Sequence, residues 1–154
     1  METQLHKYTV ENLRLENVEW FVEVAATSML EHELKRPELI NINHLYSLTV
    51  RCMEQESIFI AKYNGVPIGA IAGIIAPNLY NPSIVECIEL FWYILPQYRK
   101  SRAGVLLLNA FIERGEREDV ITFSLLPSSN INARTLEKRG FRMGETGYIK
   151  EKEK

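Results

Sequence analysis

The chain has 154 residues, 46% of them hydrophobic and 25% charged, which is typical of one globular domain. Lys and Arg number 18 against 20 Asp and Glu, a formal net charge of −2 that argues against a main partner with a nucleic-acid backbone. The two cysteines, Cys52 and Cys87, belong to no CxxC pair and no Cys/His cluster. We therefore predict reduced, buried thiols rather than a disulfide scaffold or a metal site.

The N-terminal residues lack the apolar segment of a signal peptide. The most apolar stretch, Val66–Pro77, is far shorter than the roughly 20 residues that a membrane-spanning helix needs. We therefore expect a soluble protein of the cytoplasm with no membrane partner.

The first elements in chain order are a strand and two helices. Weak alternation predicts a strand at residues 5–13. After Asn17, a helix-capping residue, apolar side chains recur at three- and four-residue steps and predict an amphipathic helix that ends before Pro37. Asn43 is predicted to cap a second helix.

A hairpin follows. Residues 57–63 and 66–76 are predicted strands on either side of Asn64-Gly65, a strong signal for a type I′ turn, because both central residues of that turn need positive φ. Gly69 and Gly73 lie inside the returning strand, where they predict a bulge or close packing against another backbone.

The middle of the chain predicts a strand, a turn and a helix. Residues 84–95 form an apolar run rich in β-branched and aromatic side chains, which we interpret as a central strand. A short basic turn, 99–104, leads into residues 105–112, which are apolar nearly all round and predict a buried helix ending near Gly115.

The last part of the chain predicts a strand at 120–126, a short helix at 132–139 that stops at Gly140, and a closing strand pair at 141–145 and 148–151. The whole order predicts one α/β domain over residues 1–154, with no repeat and no linker.

The turn between the central strand and the buried helix is the clearest chemical signal. The first amides of the helix lack backbone partners and, with the positive end of the helix dipole, form a site for an anion. Gly104 allows close approach, and Arg99, Lys100 and Arg102 add charge, so a pyrophosphate is the predicted ligand. Neither a Walker A motif nor a GxGxxG fingerprint is present.

Residues 96–104, Pro-Gln-Tyr-Arg-Lys-Ser-Arg-Ala-Gly, resemble motif A of the GNAT acetyltransferases, (Arg/Gln)-x-x-Gly-x-(Gly/Ala). Arg99 takes the first position and Gly104 the last. The aromatic strand before this segment, the Lys-Arg-Gly-Phe run at 138–141 and the order of elements are also similar to the family over nearly the whole chain. The turn further resembles that of compact GNAT-like proteins encoded by bacteria and their phages.

The resemblance implies an α/β (α+β) fold with a mixed central sheet of about six to seven strands and flanking helices. It also implies an N-acetyltransferase that uses acetyl-CoA as acyl donor and an amine as acceptor, by direct transfer. Main-chain groups of Ile94 would contact the pantetheine arm, and Asn132 would be a polar contact to the coenzyme. The residues implied to cradle its pyrophosphate are Arg99, Lys100, Ser101, Arg102, Ala103 and Gly104.

Two positions depart from the family pattern. Arg102 replaces the first glycine of the motif, where it either crowds the turn or adds a phosphate ligand. Leu136 replaces a tyrosine that serves as general acid toward the leaving thiolate, so water, Tyr148 or Ser128 would have to supply that proton. These departures motivate the alternatives of an inactive coenzyme-binding sensor or a GNAT-fold interaction protein.

Glu86 and Glu89 are the two charges in the apolar strand and are candidates for the base that deprotonates the amine. Being three residues apart, they point to opposite faces unless a bulge changes the register, and we favour Glu89. A structural ion pair is the other reading of either residue.

The acceptor stays open. A protein N terminus, a lysine, a small amine and a charged tRNA all fit the resemblance, and so do several oligomeric states, a homodimer included. Residues 31–43 and the final strand pair are expected to shape the acceptor pocket. No metal is implied.

Overall fold

The structure is a computed structural model that describes residues 7–32, 36–124, 133–144, 148 and 150–152. Within these residues five strands form one sheet: β1 (Tyr8–Asn12), β2 (Ile58–Tyr63), β3 (Val66–Pro77), β4 (Val85–Ile94) and β5 (Val120–Thr122). The helices are α1 (Val18–His32), α2 (Ile42–Glu54), α3 (Ala103–Gly115) and α4 (Ala133–Glu137). The strands follow chain order across the sheet, antiparallel except for the parallel pair of β4 and β5.

The α/β fold and the mixed sheet are as predicted, but the sheet is smaller than the six or seven strands expected. Residues 141–144, 148, 150 and 151 form no strand, and 145–147 and 149 lie outside the described residues. Met143 and Tyr148 are 79% and 94% exposed, so neither of these side chains holds the segment against the sheet.

The hairpin of β2 and β3 confirms the turn prediction. Asn64 and Gly65 have φ of 47° and 84°, the left-handed values that a type I′ turn requires. β3 is buried at residues 68–73 because helices cover both of its faces there.

Gly73 confirms the prediction of close packing within β3. A Cβ at this position would lie 2.5 Å from Cε2 of Phe111 on α3. The register of β3 against β4 shifts at the same place, from Ala72↔Phe91 to Gly73↔Glu89, which leaves Leu90 as the extra residue of a β-bulge.

Helices cover the two faces of the sheet. On one face α1 and α2 enclose a core that includes Phe21, Cys52 and Ile60, and on the other α3 contributes Leu107 and Phe111. Both cysteines are buried and free, as predicted. Among the described helices, none has both the length and the apolar character needed to traverse a bilayer.

The cap of α2 differs from the prediction, whereas Asn17 directly precedes α1. Asn17 ends a short 3₁₀ turn, Leu15–Asn17, that leads into α1. α2 is capped by Asn41 rather than Asn43: the extended Asn41 accepts a hydrogen bond from the amide of His44 (3.0 Å) through its side-chain oxygen. Asn43 already lies in the first helical turn, where its carbonyl accepts from the Ser47 hydroxyl.

Candidate functional site

The sheet opens along one side of β4. β5 pairs with β4 only at Glu86↔Val120, Cys87↔Ile121 and Ile88↔Thr122, whereas β4 continues to Ile94. From Glu89 onward, no described residue pairs with this side of β4. The outer half of β4 therefore presents an unpaired strand edge between the two layers of helices.

Ile94 directs its main chain toward this open edge. The amide of Leu95 donates to the carbonyl of Ile68 (2.8 Å), so these two residues form a hydrogen-bonded pair of the antiparallel ladder. The adjacent pair, Gly69↔Ile94, is consequently the non-hydrogen-bonded kind, in which N–H and C=O point away from the partner strand. The amide of Ile94 is thus available to a ligand lying along β4.

The turn before α3 carries amides without acceptors. The Ser101 hydroxyl donates to the carbonyl of Tyr98 (2.6 Å) and accepts from the amide of Ala103 (3.3 Å), which fixes the turn. Among the described residues, the amides of Lys100, Arg102 and Gly104 find no acceptor. Together with the dipole of α3, these donors make the turn suited to an anion.

Arg102 fits this turn without strain. Its φ of −72° and ψ of −6° are open to any L-residue, so the position does not require the glycine of the family motif. Its side chain is exposed, as is that of Lys100. Of the two readings of Arg102, the geometry favours an added cation over a crowded turn.

The side chain of Arg99 is engaged elsewhere. Its Nε donates to the carbonyl of Ile94 (2.9 Å), its Nη2 lies 3.6 Å from Oε2 of Glu31, and its guanidinium stacks 5.1 Å from the ring centroid of Tyr93. The Tyr93 hydroxyl also donates to Glu31 (3.3 Å), and burial raises the pKa of Tyr93. Arg99 therefore ties the turn to the end of β4 and to α1.

A buried donor faces the same region from the α3 side. The indole Nε1 of Trp92 is buried and has no hydrogen-bond partner among the described residues. A Cβ added to Gly104 would lie 3.5 Å from Cζ2 of Trp92 and 3.2 Å from Cδ1 of Ile94, so the start of α3 packs closely on the end of β4. Trp92 belongs to the aromatic strand that the sequence predicted, but nothing local in the sequence indicates that its N–H lacks a partner.

Glu86 and Glu89 point to opposite faces, as their spacing predicted. The bulge follows Glu89, so it does not change their relative orientation. Glu86 accepts a hydrogen bond from Nδ2 of Asn78 (3.0 Å) beside the loop that joins β3 and β4. Glu89 follows the last residue of β4 that pairs with β5 and accepts from the amide of Ser124 at 3.4 Å. Only Glu89 lies where the edge opens.

Sequence comparison decides the family. A model of the acetyltransferase (GNAT) family matches residues 16–141. The chain belongs to the GNAT family. No curated protein sequence matches it.

Solved structures with the same fold are distant in sequence from this GNAT chain. The aminoglycoside N-acetyltransferase AAC(6')-Iy in complex with CoA has a TM-score of 0.69 at 16% identity, over 99% of both chains. A GCN5-related N-acetyltransferase from Ralstonia eutropha has a TM-score of 0.70 at 17% identity, over 94% of this chain and 98% of that one. Arabidopsis thaliana Naa50, in complex with the bisubstrate analogue CoA-Ac-MVNAL, has a TM-score of 0.65 at 16% identity, over 90% and 85%. These likenesses show the GNAT fold.

Of the predicted site residues not yet placed, only Tyr148 lies within the described part of this GNAT chain. Tyr148 is 94% exposed, and Asn132 and Ser128 lie outside the described residues. Leu136 is 8% exposed and contributes an apolar side chain to α4. The position that carries a tyrosine in the family therefore has no proton to donate here.

Proposed function

We propose that the protein is an N-acetyltransferase that moves an acetyl group from acetyl-CoA directly to an amine. The observation that carries this proposal is the meeting of the open β4 edge with the amides of the turn before α3, in a member of the GNAT family. The CoA complexes of AAC(6')-Iy and Naa50 support the choice of acyl donor.

The residues at this site fit coenzyme A on several counts. The pyrophosphate would accept from the free amides of the turn, with Lys100 and Arg102 as exposed cations. The amide groups of the pantetheine arm would pair with the free edge at Ile94, as an added strand does. The residues proposed for direct coenzyme contact are Ile94, Lys100, Ser101, Arg102, Ala103 and Gly104, and Arg99 is proposed to hold the turn in place. Asn132 lies outside the described residues, and we propose it as a polar contact to the coenzyme on the sequence alone.

Arg99 has an indirect role in this proposal. Because its guanidinium binds the Ile94 carbonyl and Glu31, it holds the turn at the end of β4 rather than neutralising a phosphate through its side chain. Its contribution to coenzyme affinity would then come from the position of the neighbouring amides.

Acyl transfer needs a neutral amine and a polarised thioester carbonyl. The amine nitrogen attacks the carbonyl carbon, a C–N bond forms, and the C–S bond breaks to release the coenzyme thiolate. We propose Glu89 as the group that removes the amine proton, since it lies where β4 and β5 separate. The main-chain amides along the free edge near Ile94 would polarise the carbonyl.

The thiolate needs a proton, and we propose that water supplies it, because Leu136 has none and Tyr148 is exposed. A covalent acyl-enzyme on Cys87 is disfavoured, since burial raises the pKa of that thiol to about 11 and keeps it protonated. Direct transfer is the mechanism that the residues support.

A coenzyme-binding protein without turnover is the second candidate, and the buried Leu136 favours it. Both candidates bind the coenzyme, so binding is measured first. With acetyl-CoA at about a hundred times its Kd, the free energy of unfolding should rise by about 2.7 kcal/mol, seen as a higher Tm.

Charge reversal provides the matched comparison. The double variant Lys100→Glu/Arg102→Glu should lose the acetyl-CoA shift, because two cations near the proposed pyrophosphate become anions. Lys7→Glu/Arg51→Glu makes the same change at exposed positions away from the turn and should keep the shift. A well-folded parent that shows no shift would rule out the coenzyme site.

A further inference from the structure

An apolar cavity of about 230 Å³ lies between α1, α2 and the sheet, on the face opposite α3. Of its lining residues, all within the described chain, none is Asp, Glu, Lys or Arg. The Thr49 hydroxyl in its wall donates to the carbonyl of Leu45 (2.6 Å) and so needs no further partner. The cavity therefore suits a hydrocarbon group.

The size of the cavity distinguishes it from a packing gap. Protein cores are close-packed, with few voids larger than a water molecule. A dry cavity of about 150 Å³ in another protein holds a benzene molecule, so this one has room for a group of at least that size. An acetyl group alone would leave most of it empty.

The position of the cavity connects it to the open edge of β4. Leu90 and Phe91, which follow Glu89 on β4, line the cavity. The exposed His44 of α2 and the half-buried Met29 of α1 line it as well. The cavity thus borders both a solvent-exposed side chain and the half of β4 where acyl transfer is proposed.

We infer that this cavity binds the apolar part of the acceptor, so that the preferred acceptors are primary amines carrying a compact aliphatic or aromatic group. This rests on the proposed function. The proposed coenzyme contacts start at the turn before α3, whereas the cavity opens between α1 and α2, which suits the second substrate rather than the acyl donor. A polycationic amine would lose hydration there without gaining hydrogen bonds.

Two amines that differ only in chain length test the inference. With acetyl-CoA as donor, kcat/KM for hexylamine should exceed that for ethylamine by at least about tenfold, since each buried methylene is worth about fourfold. Equal values for the two amines would overturn the inference.

Filling the cavity should abolish the preference. Ala25 lines the cavity and is buried, so Ala25→Leu should bring the ratio of the two kcat/KM values close to one. Ala26→Leu makes the same change at the next position of α1, outside the lining, and should keep the ratio of the parent. If Ala25→Leu does not fold, Ala25→Val takes its place, with a smaller loss expected.

An acyl-CoA with a longer acyl chain tests whether the cavity binds the acceptor amine or the acyl chain of the donor. If hexanoyl-CoA replaces acetyl-CoA with no loss of rate while hexylamine has no advantage over ethylamine, the cavity holds the acyl tail and the inference is wrong. A Tm shift with acetyl-CoA alongside equal amine rates would overturn the inference and leave the proposed coenzyme site standing. Absence of both the shift and turnover would overturn both.

Discussion

Glu89 and Glu86 have the same side chain on the same strand, but their surroundings differ. Glu86 lies beside a polar loop and accepts from Asn78, whereas Glu89 lies where β5 leaves β4. A carboxylate assists an amine only if it reaches the proton to be removed, and this is the reason that we propose Glu89 rather than Glu86 as the base.

We expect Glu89→Gln to lower kcat/KM by about 10²- to 10⁴-fold, because the amide cannot take the amine proton. The Tm shift with acetyl-CoA should be unchanged, since the coenzyme contacts lie elsewhere. Glu86→Gln is the matched control and should leave kcat/KM nearly unaltered. Full activity of Glu89→Gln would remove Glu89 as the base, and equal losses in both variants would point to strand stability instead.

At the scale of the element, the start of α2 depends on one asparagine. Asn41 is extended and its side chain accepts from the third amide of the helix, while Asn43, two residues later, is helical. The sequence offers both asparagines, and the path of the chain after the Pro37–Leu39 turn selects Asn41.

Asn41→Ala should lower the free energy of unfolding by about 0.5–2 kcal/mol, because one helix amide loses its acceptor. Asn43→Ala should have a clearly smaller effect. Urea unfolding of the two variants measures the difference, and a larger loss for Asn43→Ala would contradict the assignment of the cap.

At the scale of the whole molecule, the sheet separates two layers that meet at the open edge of β4. The α3 layer offers the turn proposed for the coenzyme, and the layer of α1 and α2 offers the apolar cavity. The turn proposed for the coenzyme and the cavity proposed for the acceptor therefore lie on opposite faces of the sheet, and both adjoin the open half of β4.

The reactivity of the two cysteine thiols tests whether the buried interior is closed to solvent. Burial raises the pKa of Cys52 and raises that of Cys87 to about 11, so both should stay protonated and unreactive. We expect neither thiol to react with Ellman's reagent in the folded protein at about pH 8, and both to react after unfolding in guanidinium chloride. Rapid reaction of one thiol in the folded state would show that its layer opens.

Much of the fold could be predicted from the sequence, because it depends on local signals. The Asn64-Gly65 turn, the apolar β3 and β4 and the start of α3 each follow from residues close together in the chain. The closing strand pair was predicted from the same kind of signal and is not found in the described residues, since pairing also needs an apolar face to bury.

The sequence by itself determined the basic turn before α3, the opposite faces of Glu86 and Glu89 and the resemblance to the GNAT family, because backbone spacing and a short motif are sufficient for each. Only the tertiary structure decided that Arg99 binds Ile94 and Glu31, that the buried Trp92 N–H has no partner among the described residues, and that a cavity is lined by Leu90 and Phe91. These features depend on residues far apart in the chain, whose distances are set by how the two helical layers pack on the sheet.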